Sequence, residues 1–200
     1  MSPSLELRSL IDQAKAEVKV SPDGELRLPQ REALWTVIAS SAGDDLSART
    51  LLTALDAACV RQVMNIWWRV FPHDDGPSRM LDLARAVLAG AVPEAQARRI
   101  RDDFYVDAVD DREYRPEDYP AMDVAQAATR TVATALVGKP YDAEEADLQD
   151  ADEDPEDLET SYLAACAYSG GPLGRHDPAA RRDFWLWYLE TAIPEALRAA

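Results

Sequence analysis

LDAACVRQVMNIWWRVFPHDDGPSRMLDLARAVLAG, residues 55–90, is the stretch whose reading decides the fold. Its first half continues an apolar front that begins with Leu51 and Leu52. Leu55, Ala58, Cys59, Val63, Ile66, Trp67 and Val70 follow at helical spacing, with none of the alternation of a half-buried strand. So wide a front predicts a central helix touched on more than one side. Phe71-Pro72 stops it, because proline has no N–H to continue the ladder. Asp74 or Asp75 can accept hydrogen bonds from the free N–H groups opening the next helix, Gly76 relieves the turn, and Pro77 suits a first helical turn. That next helix, over residues 77–89, carries Met80, Leu81, Ala84, Val87 and Leu88, with Gly90 placed to terminate it.

Working outward, the same period recurs. A helix over 4–18 places Leu7, Leu10, Ile11, Ala14 and Val18 on one stripe, and one over 29–40 offers Ala33, Leu34, Val37 and Ile38. Asp44 or Asp45 caps the central helix. Residues 93–112 form a helix with Ala97, Ile100, Phe104 and Ala108 down one side; 121–137 is a helix rich in small residues. Helix resumes near 157 and runs to 168. Asp177-Pro178 opens a last helix whose Phe184, Trp185, Trp187, Tyr188 and Leu189 dock it on the body. The reading is one all-α domain over residues 1–200: an irregular bundle or stack of about seven to eight helices, with helical-hairpin stacking one possible arrangement.

Two hundred residues suffice for a sizeable core, and 47% hydrophobic with 29% charged residues suits a globular protein. The net charge of −16 is unevenly spread. Residues 142–159 hold eleven carboxylates and no Lys or Arg, leaving 26 acidic against 21 basic residues elsewhere. The insert at about 140–157 is too polar to bury and reads as a loop or solvated tether. A bulk basic face is not expected on such a body, and so no nucleic-acid partner. A basic protein partner is favoured instead, because an acidic body raises its encounter rate. No apolar run is long enough to cross a bilayer, and the N-terminus lacks the apolar core of a signal peptide. Cys59 and Cys166 sit in apolar helical patterns, which points to reduced thiols in a cytoplasmic protein; a disulfide between them stays open.

Candidate chemistry is thin. His73-Asp74-Asp75 offers an imidazole and two carboxylates, but adjacent corner residues rarely converge on one ion, and no other His or Cys cluster completes a site. Residues 150–161, DADEDPEDLETS, begin like a calcium-binding EF-hand loop. They fail at position six, where Pro155 replaces glycine, and at position twelve, where Ser161 replaces the bidentate glutamate. No nucleophile elbow, phosphate loop or dinucleotide glycine pattern occurs. By elimination the chain binds rather than catalyses, with no metal or cofactor.

The opening stretch also resembles the Imm5-like immunity proteins of bacterial polymorphic-toxin systems. The resemblance rests on Trp67-Trp68, Phe71-Pro72, Asp74-Asp75, Pro77 and LARAVLAG (residues 83–90). The Ala-rich AMDVAQAATRTVATAL (121–136) and the closing RRDFWLWYLETAIPEAL (181–197) add to it. Gly76 stands where that pattern expects arginine, and the acidic insert is an addition. The resemblance implies a cytoplasmic protein that neutralises a cognate toxin by binding it, without catalysis. A general helical adaptor is the alternative, and a metal–carboxylate enzyme built in an interhelical cleft the third. The expected contacts to a basic, nuclease-like toxin are Asp74, Asp75, Asp150, Asp152, Glu153, Asp154, Glu156 and Asp157.

Overall fold

The computed structural model describes residues 4–139, 149–150 and 153–199, all helices and connections with no strand among them. The helices are α1 (Leu5–Val20), α2 (Leu28–Ser40), α3 (Asp45–Val70), α4 (Gly76–Leu88), α5 (Glu94–Tyr105), α6 (Tyr119–Val137), α7 (Thr160–Ser169), α8 (Pro178–Trp187) and α9 (Ile193–Ala199). A π turn, Val106–Asp110, extends α5, and another, Tyr188–Ala192, joins α8 to α9. Counted as continuous rods, the described helices number eight, the upper end of the expectation.

Capping follows the sequence. Asp44 accepts the Ser47 N–H and opens α3, Asp177 accepts the N–H groups of Ala179 and Ala180, and Gly90 takes a positive φ after α4. Arginines from neighbouring helices satisfy helix C-termini. Arg49 of α3 donates to the Ala135 and Leu136 carbonyls ending α6 (3.3 and 3.0 Å), and Arg182 of α8 donates to Val18 and Ser21 after α1 (3.2 and 2.7 Å).

At 26 residues α3 is about 39 Å long. It packs against α2, α4, α6, α7 and α9, as its wide apolar front requires. The buried alanines of α6 (Ala121, Ala125, Ala127, Ala128 and Ala135) leave room for α3, α4 and α7 to approach on different sides. Because α9 returns to α3 and α8 to α1, the chain closes on itself as an irregular bundle rather than an open stack of hairpins. Two stripes differ from the sequence reading. On α2, Arg31 and Trp35 are buried with Leu34 and Ile38, while Ala33 and Val37 are half-buried. On α5, Ile100 is exposed. The last helix is not one uniform rod either. Pro194 has no N–H and its ring would crowd the carbonyl four residues back; the π turn just before it absorbs the misfit.

The corner after α3 is a knot rather than a simple cap. Asp75 is the N-cap of α4 but makes no side-chain capping bond. Asp74 accepts the Gly76 N–H (2.8 Å) and pairs with Arg112 (2.8 Å), and its own carbonyl accepts the Trp67 indole N–H (2.8 Å). The Arg112 guanidinium also lies over the Trp67 and Phe71 rings, 5.1 and 4.7 Å from their centroids. His73 is exposed. Gly76 has a different reason from the one expected: its φ is not positive, but a Cβ there would lie 2.4 Å from Cε2 of Phe104. The residue is small because α5 lays a ring against it. Gly76→Ala should therefore lower the unfolding free energy by about 1–3 kcal/mol. In urea titrations of the single and double variants, Phe104→Leu should cost less in the Gly76→Ala background than alone, a positive coupling between the two sites.

Candidate functional site

The residues with the most unusual surroundings are ones the sequence reading passed over. Arg31 and Arg181, both 0% exposed, lie on the apolar stripes of α2 and α8. Arg31 pairs with Asp150, with Glu159 (3.3 Å) and with Glu25 (3.8 Å), and donates to the Leu26 carbonyl (3.3 Å). Arg181 pairs with Glu25 (3.2 Å) and donates to the Gly171 carbonyl (3.3 Å) and the Cys166 sulfur. A third buried cation, Lys139 after α6, bridges Asp56 (3.0 Å) and Glu159 (3.3 Å); Thr134 also donates to Asp56 (2.7 Å). Aromatic faces complete the shell: Tyr162 faces both guanidinium groups, Trp185 faces Arg31, and Trp35 faces Lys139 at 4.2 Å.

Glu159 joins the two halves of this network. It opens α7 by accepting the N–H groups of Ser161 (2.7 Å) and Tyr162 (2.6 Å), and takes Arg31 and Lys139 as partners. Burial pushes its carboxyl up, but the two cations and the Ser161 bonds outweigh burial and hold it below the ordinary value. Burial wins at Glu25, Asp56 and Asp150, which are all raised despite their cationic partners. Lys139 stays protonated because Asp56 and Glu159 overcome its desolvation. Every carboxylate here faces a cation, an arrangement that ties α2, α3, α7 and α8 together. Among the described residues no group of three His, Cys, Asp or Glu is placed to hold an ion. Cys59 and Cys166 are free and buried; burial raises both, Cys166 to about 12, so they are neutral thiols.

The acidic contacts expected from sequence separate into three groups. Asp74 belongs to the corner knot, where Gly76 and Arg112 outweigh partial burial and lower its pKa, whereas Asp75 is exposed beside Arg79 (3.1 Å). Asp150 corrects the expectation of a surface contact, since it is buried and faces Arg31. Asp152 lies outside the described residues, as do 140–148 of the insert. Glu153, Asp154, Glu156 and Asp157 form a turn seated on α6 rather than a free tether. Gln126 donates to the Pro155 carbonyl (2.6 Å), and Arg130 to the Glu156 carbonyl (3.4 Å) and the Asp157 carboxylate (3.2 Å). Asp154, Glu156 and Asp157 are exposed. Between this turn, α6 and the end of α5 runs a groove of about 330 Å³, walled by Asp102, Asp110, Glu156 and Asp157 with Arg101 and Arg130 among them. Tyr105 and Val106 also line it, and burial, with Asp110, Glu156 and Asp154 nearby, raises the Tyr105 pKa.

The family model described as Immunity protein Imm5 matches residues 11–195. The chain belongs to this immunity protein family. The match runs from α1 into α9 and takes in the acidic segment, so the insert and the ion network both fall inside the family's span. A search of curated proteins finds no match. Immunity proteins of this kind are generally non-catalytic. Among the described residues of this Imm5 chain, no helix is long and apolar enough to cross a membrane.

Two measurements probe the network. Arg31→Met leaves the buried Asp150 without its cation and takes one of two cations from Glu25 and Glu159, and should cost about 3–5 kcal/mol, read as a lower urea midpoint. The second concerns Asp123 of α6, half-buried with no ion pair among the described residues, whose carboxyl burial pushes up to about 7 against the pull of Arg181. A raised folded-state pKa gives stability that is present below the unfolded value and lost as pH rises through the folded one. Stability should therefore fall between about pH 4 and pH 7 by an amount that Asp123→Asn removes, which thermal unfolding across that range would detect.

Proposed function

We propose that this protein is the cytoplasmic, non-catalytic antidote to one cognate toxin of a bacterial polymorphic-toxin system, acting by occluding a basic toxin domain. Membership of the immunity family across residues 11–195 carries this reading. Its physical support is a folded scaffold with acidic residues held outward on fixed elements. Exposed Asp102, Asp103, Asp107, Asp110 and Asp111 line the end of α5 and its π turn, and Asp154, Glu156 and Asp157 stand across the groove. Such a field speeds encounter with a cationic surface, and enzymes that act on nucleic acid need one to hold phosphate. Asp75 and the turn 153–157 are the proposed steering contacts; Asp150 and Asp74 hold those elements in place.

Co-expression with the toxin encoded beside the gene tests the function: this chain should rescue growth, and failure to rescue from any neighbouring toxin would sink the reading. The steering role has its own measurement. Replacing Glu153, Asp154, Glu156 and Asp157 together by their amides should slow association by about tenfold at low salt and flatten its salt dependence, with little change in dissociation. A salt-independent association rate in the unaltered protein would exclude steering.

A further inference from the structure

Carboxylates that steer do not explain what holds a complex once formed. The side chain best suited to that lies elsewhere, at the end of α3. Trp67 and Trp68 are neighbours in sequence, but a helix turns successive residues about 100° apart. Trp67 is buried and Trp68 is 48% exposed, while Trp35 and Trp185 are buried and Trp187 half-buried. Along α3, Arg61, Asn65 and Trp68 form one exposed stripe; opposite it α4 presents Ser78, Asp82 and Arg85. Between the two helices lies a groove of about 220 Å³, floored by the buried Met64 and Leu81 and walled by the Trp68 indole.

Charge narrows what fits. Arg85 pairs with Asp82 at 3.2 Å on the same helix. Arg61 has no ion pair among the described residues, although the chain carries 37 carboxylates against 21 basic side chains. An apolar floor, an indole wall and an unmatched guanidinium at the mouth are the composition of an interface anchor, where Trp and Arg dominate binding energy.

We propose that this α3–α4 groove is the anchoring contact for the toxin. It takes one large apolar side chain of the toxin surface, set beside a toxin carboxylate that pairs with Arg61. The inference rests on the toxin-binding reading above and adds a division of roles: the acidic turn sets the association rate and the Trp68 groove sets the dissociation rate.

The experiment uses the full chain and the toxin domain encoded beside its gene, followed by surface-based kinetics. Trp68→Ala and Arg61→Glu are surface changes, so helicity and urea midpoint should stay as in the unaltered protein. Each should raise the dissociation rate by about tenfold or more while association stays within about twofold. Acrylamide quenching supplies a second readout. The quenchable tryptophan emission that Trp68→Phe removes should be protected in the complex. If Trp68→Ala leaves dissociation unchanged while the chain still binds and protects cells, the anchor proposal fails and the immunity reading stands. If the unaltered chain does not bind the toxin at all, both fail. A free chain that dimerises through Trp68, with toxin dissociation unmoved by its loss, would assign the groove to self-association and overturn the proposal.

Discussion

One guanidinium sets the terms for much of this structure. Arg31 is carried into the interior on the apolar stripe of α2, where an unpaired charge would cost several kcal/mol. Its position is tenable only because Glu25, from the turn before α2, and Asp150 and Glu159, from either side of the acidic turn, converge on it. Glu25 then requires Arg181, and Glu159 requires Lys139, which in turn answers Asp56. The requirement thus runs from α2 to α8 in one direction and to α3, α6 and α7 in the other. Three cations face four carboxylates, and burial, helped by neighbouring carboxylates, still raises the pKa values of Glu25, Asp56 and Asp150 against the pull of those cations.

Such a network is a poor way to gain stability, since well-packed apolar residues would often do as well. What it supplies here is placement. Asp150 fixes the chain just before the acidic turn, Glu159 just after it, and Gln126 and Arg130 hold the turn itself on α6. A segment whose composition would otherwise leave it solvated is tied at both sides to one buried arginine. For a protein that works by binding, a surface ordered beforehand lowers the ordering cost of association.

The helices are legible because they obey a local rule. Period and punctuation place α3, α4 and the corner between them within a residue or two, and the proline and aspartate signals locate the openings of α3 and α8. What stays hidden depends on partners far along the chain. Arg31 and Asp150 are 119 residues apart, and no local pattern links them. A trace is nevertheless present: Arg31, Asp56 and Arg181 each interrupt an apolar stripe, and a charge on such a stripe demands a buried partner. Gly76 escapes a local reading for the same reason, because the constraint on it is the Phe104 ring of another helix. Composition groups Asp150 with its acidic neighbours, whereas its role is set by which way one side chain turns.

Net charge alone cannot give an immunity protein its specificity. A body at −16 attracts any cationic protein, and at physiological salt that attraction fades beyond about 8 Å. Discrimination needs contacts that a wrong partner leaves unsatisfied or clashing. The carboxylates around the α5–α6 groove are exposed and solvated, so each contributes little once a partner has docked. The Trp68 groove is different in kind, because its apolar floor rewards only a side chain of matching shape and Arg61 penalises one that brings no carboxylate. On the proposed reading the acidic face brings many candidates to the surface, and the α3–α4 groove decides which of them stays.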